Sequence, residues 1–184
     1  MSWLVGVPLR NTLHRVFHLY DTRGCLGIKG GGQFAYESYG NVWRQTLQLC
    51  SVLKDLPERS IVGIYSSNSP KVLISDVCCV LSDFISVGIH LSWAPSTVND
   101  IIQETKMSCL IIEKAQLQML GKLQESLSSI RFIIILDPDS DSNQHKIAFK
   151  IPETIKVFTW NDVIDVSEET MQQRSKYYLD KAQN

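Results

Sequence analysis

Five short apolar runs recur along this chain at a nearly fixed interval. They begin near Ile61, Ile85, Ser108, Arg131 and Ile155, at spacings of 24, 23, 23 and 24 residues. That interval is the length of a strand plus a crossover helix, so the chain is committed to βα units and a parallel sheet. The runs share no motif, and the period therefore belongs to the βα unit rather than to a sequence repeat. Phe132-Ile-Ile-Ile-Leu136 is apolar without alternation, as a strand covered on both faces requires. Helices are predicted in the gaps, over Pro70–Phe84, Ser96–Lys106 and Lys114–Ser128. On a helical wheel the polar residues of Pro70–Phe84 (Lys71, Ser75, Asp76, Ser82, Asp83) fall within an arc of about 140°. The remaining apolar arc is wider than one sheet contact needs, which predicts that this helix packs against both a sheet and a neighbouring element.

The first of these units contains the stretch Ile61-Val-Gly-Ile-Tyr-Ser-Ser-Asn-Ser-Pro70. A buried strand runs into a polar break and then into a helix. Ser69 is placed to cap that helix through its hydroxyl, and Pro70 suits its first position, where no N–H is needed. Strand-to-helix turns are where α/β proteins gather ligands. Ser66 and Ser67 have no His/Asp partner recognisable in sequence and no G-x-S-x-G elbow; Asn68 and Ser69 read as shaping the turn and capping the helix.

Upstream, Leu13, Val16, Phe17 and Tyr20 follow helical spacing over Thr12–Tyr20. His14 and His18 lie one turn apart, but without an acidic or cysteine partner a solvated face is favoured over a metal site. Cys25–Lys29 and Gln33–Tyr36 flank Gly30-Gly31-Gly32 and predict a β-hairpin, the glycines forming its turn. Ser38 begins a long helix to about Leu56, with Val42, Trp43, Thr46, Leu47, Leu49, Cys50 and Leu53 on one face; Pro57 ends it. Downstream, Asp137, Asp139 and Asp141 imitate the opening of a calcium-binding loop, but Ser142 and Ala148 stand where Gly and Glu belong, so a solvated loop is favoured. Ile155–Phe158 is the last strand and Trp160–Ile164 a short helix. From Ser167 the chain is strongly polar, either a helix or a loose tail.

The 184 residues suffice for one sizeable domain, with 44% hydrophobic and 20% charged residues. Residues 1–60 carry seven Lys/Arg against four Asp/Glu, and residues 61–184 eleven against fifteen. Neither part has a basic run, so nothing points to nucleic acid. Cys25, Cys50, Cys78, Cys79 and Cys109 are odd in number and form no C-x-x-C pair. They read as free thiols, mostly buried, in a reducing compartment. Trp3–Val7 is too short for a signal peptide, and Val72–Leu91 is interrupted by Asp76, Asp83 and serines, so neither a leader nor a membrane span is expected.

The order of elements and several local motifs resemble the N-terminal part of long-chain acyl-CoA synthetases, in the adenylate-forming or AMP-binding superfamily. Phe17 followed by Cys25-Leu-Gly is similar to that family's opening. Tyr36-Glu-Ser-Tyr-Gly40 resembles its aromatic start to a long helix. Val62-Gly-Ile-Tyr-Ser-Ser-Asn-Ser-Pro70 is similar to its V-G-I-x-x-x-N-x-P-E-W stretch, and Ile74-Ser-Asp-Val-Cys78 to the I-x-D-x-A-C segment that follows. Ser86-Val87 with the loop through Pro95 resembles its S-V-P-L-Y-x-T-L-x-P-E segment. The likeness covers roughly residues 12–165. Three places depart from it: Lys71-Val72 replaces Glu-Trp, Gly88-Ile89-His90 replaces a Pro-Leu-Tyr type sequence, and Ala94 stands at a helix-capping position unless Ser92 substitutes.

The resemblance implies an α/β fold. A largely parallel sheet of about five strands is flanked by helices and preceded by a β-hairpin. Residues 1–165 would form part of an AMP-binding domain and 166–184 a polar C-terminal tail. It also implies a family reaction joining a fatty acid, ATP and CoA into acyl-CoA, AMP and pyrophosphate, with ATP, Mg²⁺ and CoA as the ligands of a full-length enzyme. No Ser/Thr/Gly-rich run ending in Pro-Lys-Gly exists here to grip phosphate. A partial ligase, inactive alone, is therefore expected, with no catalytic, cofactor-binding or metal-binding residue assigned in this chain. His90 is expected on a loop surface. By family resemblance the location would be the cytosol or the cytosolic face of a membrane, at the endoplasmic reticulum or peroxisome. The alternatives are a non-enzymatic module that associates with a full-length synthetase or a second copy of itself, and an independent flavodoxin-like domain.

Overall fold

The computed structural model describes residues 7–121, 124–137 and 151–183. Helix α1 (Leu9–Leu19) leads into the hairpin β1 (Gly24–Gly30) and β2 (Gln33–Ser38), then α2 (Tyr39–Val52). Five strands follow: β3 (Ile61–Tyr65), β4 (Ile85–Gly88), β5 (Cys109–Ile112), β6 (Phe132–Ile135) and β7 (Lys156–Thr159). Between and after them lie α3 (Pro70–Ser82), α4 (Pro95–Thr105), the single turn α5 (Leu117–Leu120), α6 (Trp160–Ile164) and α7 (Glu168–Gln183). All five strands pair in parallel, in the order β4-β3-β5-β6-β7.

That order reverses direction. The chain steps from β3 outward to β4, then crosses back over β3 to β5. Right-handed crossovers put helices of opposite steps on opposite faces of a sheet, and the side chains sort accordingly. Val62, Ile64, Cys109, Ile111, Phe132 and Ile134 point into a core with α1, α2, α3, α6 and α7. Leu110, Ile112, Ile133 and Ile135 point into the other, with Val98 and Ile102 of α4 and Leu117 and Leu120 of α5. Central strands β5 and β6 are buried at every residue.

The hairpin turns at Gly31 and Gly32, whose φ angles of 57° and 87° lie where L side chains are strained. Helix α2 is capped by Ser38, whose hydroxyl accepts from the Asn41 N–H at 3.1 Å. It ends at Val52 rather than near Leu56: Pro57 excludes Leu56 from helical backbone, and the chain has already turned at Leu53. The wide apolar arc of α3 packs as predicted, with Ile74, Val77, Cys78 and Leu81 buried between the sheet and α2. Asp83 closes α3 in the left-handed conformation at φ 55° and takes a salt bridge from Arg10 at 2.6 Å.

Four expectations are corrected. Lys114–Ser128 is not one helix but a 3₁₀ turn at Lys114–Gln116, the turn α5, and a 3₁₀ segment at Gln124–Ser129. Gly121, among the poorest helix formers, stands directly behind α5. Ser69 sits at the N-cap of α3 without a capping bond from its side chain. Ser92 does not substitute for Ala94 at the start of α4, because its hydroxyl is bonded to His90 instead. His14 is half-buried against Trp43, ring centroids 5.5 Å apart, with His18 beside it at 4.1 Å; aromatic packing, not solvation alone, holds that helix face. The calcium-like loop lies, beyond Asp137, outside the described residues. Residues Glu168–Gln183 are helical, and Met171 and Tyr178 are buried against α2 and α3.

Candidate functional site at the strand switch point

In an open parallel sheet the place to look for a ligand is the crevice where neighbouring strands send their connections in opposite directions. Here that crevice lies between the C-terminal ends of β3 and β5. Ser66, Ser67 and Asn68 leave β3 there, and Glu113 leaves β5.

The crevice is closed from within. One carboxylate oxygen of Glu113 accepts from the Ser66 hydroxyl at 2.8 Å and from the Ser67 backbone N–H at 2.8 Å; the Ser67 hydroxyl donates to the same oxygen. Burial pushes the Glu113 pKa up, but the bonds from Ser67 and Ser66 outweigh it and hold the carboxyl below its ordinary value. Backbone N–H and hydroxyls ahead of a helix are the groups that would bind a phosphate oxygen. Because Glu113 already takes them, these residues do not fit a nucleotide phosphate or its Mg²⁺.

Two further clefts are open, and the first adjoins the crevice, sharing Ser66 and Ser67. The first, about 690 Å³, runs between the ends of β3 and β4 and is lined by Asn68, Asp76, Ile89, His90 and Trp93 among others. His90 is exposed at its rim, as expected. The Ser92 N–H donates to its Nδ1 at 3.2 Å. The second cleft, about 630 Å³, lies among α2, α3, α6 and α7. On its wall Glu37 accepts from Asn41 at 3.0 Å and Gln45 at 2.7 Å. Lys71 donates to the Leu136 carbonyl, 5.4 Å over the Trp160 ring. Burial lowers the Lys71 pKa, opposed by the negative charges of Asp137 and Glu37. The departure from the family's Glu-Trp pair thus places a cation that joins α3 to the end of β6.

Ser66 and Ser67, singled out in sequence, meet at the crevice; Asn68 and His90 share the neighbouring cleft; Ser69 contributes no side-chain bond. Glu113 was not visible in sequence. A single acid after an apolar strand carries no signal until the strand order shows that it faces β3.

Fold and crevice together define a doubly wound, open α/β domain. The sequence profile described as AMP-binding enzyme matches residues 25–173, most of the chain, and the chain belongs to that family. Among curated relatives, the peroxisomal acyl-CoA ligase 891 of Penicillium brevicompactum is 31% identical over 77 residues, 42% of this chain and 11% of that protein. Long chain acyl-CoA synthetase 8 of Arabidopsis thaliana is 26% identical over 110 residues, 59% of this chain and 15% of that one. The adenylation domain of a carboxylate reductase from Mycobacterium chelonae superposes with a TM-score of 0.74 at 15% identity, over 91% of this chain and 30% of its own. Acetoacetyl-CoA synthetase from Streptomyces lividans gives 0.70 at 13%, over 88% and 25%. At these identities the superpositions establish the fold alone. The chain spans well under a third of the curated relatives it matches.

Proposed function

We propose that these residues are the N-terminal scaffold of a long-chain fatty acid–CoA ligase and that by themselves they do not catalyse adenylation. The observation that carries this is the closed crevice: the donors best placed for a phosphate oxygen are held by Glu113. Phosphoryl chemistry draws its largest rate contribution from groups that stabilise charge on the transferring phosphate, and none is assembled among the described residues. The two named acyl-CoA relatives support the substrate class, one of them described as long chain and the other as peroxisomal. In a longer protein the reaction would use ATP, Mg²⁺ and CoA bound by residues beyond these. Among the described residues no helix is long and apolar enough to cross a membrane; placement at a cytosolic or peroxisomal surface is part of the proposal.

The test is ATP–pyrophosphate exchange driven by fatty acids of graded length. The 184-residue chain should show no exchange above an acid-free control. Fatty-acid-dependent exchange by this chain would overturn the scaffold assignment. A second reading, association with a longer synthetase or a second copy, is favoured by two open sheet edges, β4 and β7. The apolar arc of α3 gives it no support, since α2 covers that face. Co-purification of tagged chain with a longer relative would separate the two readings.

A further inference from the structure

Helices α2 and α3 meet with two cysteines face to face. Cys50 Sγ and Cys78 Sγ lie 3.2 Å apart, both fully buried, and the Cys50 thiol also lies 3.9 Å from the Cys78 carbonyl. Their surroundings are not purely apolar. Ser82, one turn further along α3, shares a hydrogen bond of 2.7 Å with the Tyr178 hydroxyl from α7. The charge of Arg174 on α7 also reaches Cys50.

The two thiols are therefore unequal. Burial pushes Cys50 up, but the polar neighbours Cys78, Ser82 and Tyr178 and the charge of Arg174 bring it below its ordinary value. Burial, with Cys50 beside it, pushes Cys78 well up. One sulfur inclined to ionise and one that holds its proton is the asymmetry on which thiol–disulfide chemistry runs. Cys79, the next residue, lacks it: burial pushes its thiol up to about 12.

We propose that Cys50 and Cys78 are a redox pair that a hydroperoxide converts into a disulfide bridging α2 and α3. The Cys50 thiolate attacks a peroxide oxygen; the O–O bond breaks, leaving Cys50 as sulfenic acid and releasing hydroxide or alkoxide. The Cys78 sulfur then attacks the Cys50 sulfur, the S–O bond breaks, and the departing hydroxide leaves as water with the Cys78 proton. Two electrons pass from the sulfurs to the peroxide oxygens. The sulfurs must close from 3.2 Å to about 2.05 Å, a shift of side-chain size between helices already in contact.

The folded chain would be treated with hydrogen peroxide, quenched, unfolded and alkylated with N-ethylmaleimide, then read by intact mass and peptide mapping. Two of the five thiols should escape alkylation, a Cys50–Cys78 cross-linked peptide should appear, and dithiothreitol should restore both adducts. Cys50→Ser should abolish the cross-link, whereas Cys25→Ser should leave it. Should Cys50→Ser fail to fold by circular dichroism, the wild-type peptide map still decides. Alkylation of all five thiols after peroxide, a bridge mapping to Cys25, Cys79 or Cys109, or sulfinic acid at Cys50 with Cys78 still free would each overturn the proposal.

Discussion

At the scale of single residues, Glu113 does the work that a bound anion does in other strand-to-helix crevices. Its three bonds come from two consecutive residues of one loop, so the carboxylate sets where β3 hands over to α3. Glu113→Gln keeps the size and one acceptor but removes the charge. Charge-assisted bonds are worth more than neutral ones, discounted here by solvent, so a loss of about 1 kcal/mol is expected at neutral pH. The pH dependence has a definite sign. The folded carboxyl is held below 4.5, its ordinary value, so its stabilisation is fully present above 4.5 and is lost as pH falls through the lower, folded value. Urea midpoints of wild type and Glu113→Gln should therefore differ at neutral pH and converge in acid. A gap that stays constant in acid would show that the carboxylate charge is not what holds the loop.

Helix ends and strand starts show what sequence does and does not fix at the scale of elements. The apolar period placed all five strand starts within one residue of Ile61, Ile85, Cys109, Phe132 and Lys156. Both-face burial writes the inner strands β3, β5 and β6 into composition, while the edge strands β4 and β7 stay largely exposed and are set by the spacing. The caps are less legible. Ser38 and Ser69 look equivalent in sequence, yet only Ser38 gives its helix a side-chain bond. Ser38→Ala should cost about 1 kcal/mol and Ser69→Ala almost nothing, while Ala94→Asp should add about 1 kcal/mol by capping α4; thermal melts of the three variants order them. Gly63 shows a third kind of constraint. A Cβ there would meet Met107 Sδ at 2.6 Å and Leu110 Cδ1 at 3.0 Å, so Gly63→Ala should destabilise by about 1–3 kcal/mol as the Met107 chain gives way. Neither that clash nor the Glu113 closure is readable locally, since both depend on β5 lying beside β3. After Lys114 the opposite holds: good helix formers give way to three short turns.

For the whole molecule, the question is what covers the sheet. One face is closed by α4, α5 and the turns around Leu127 and Ile130. The other is a two-deep stack, in which α2 and α3 lie on the strands and α7 lies on α2. Composition set residues 166–184 apart as a polar tail, and α7 is indeed polar on most of its surface. Met171 and Tyr178, at 7% and 6% exposure, are its exceptions, seated in the same core as Leu47, Cys50 and Trp160. Burying such side chains stabilises by about 1.5–3 kcal/mol each, less the entropy of ordering the helix. A chain ending at Ser167 should lose about 2–4 kcal/mol in urea unfolding while keeping its far-ultraviolet sheet signal. It should also bind an apolar dye that the full chain does not, because the outer face of α2 is uncovered. Tyr178→Phe isolates the polar part of that contact: it removes the hydroxyl that bonds Ser82, so a cost of about 1 kcal/mol and no dye binding are expected. An unchanged midpoint on shortening would mean that α7 rests on a core complete without it.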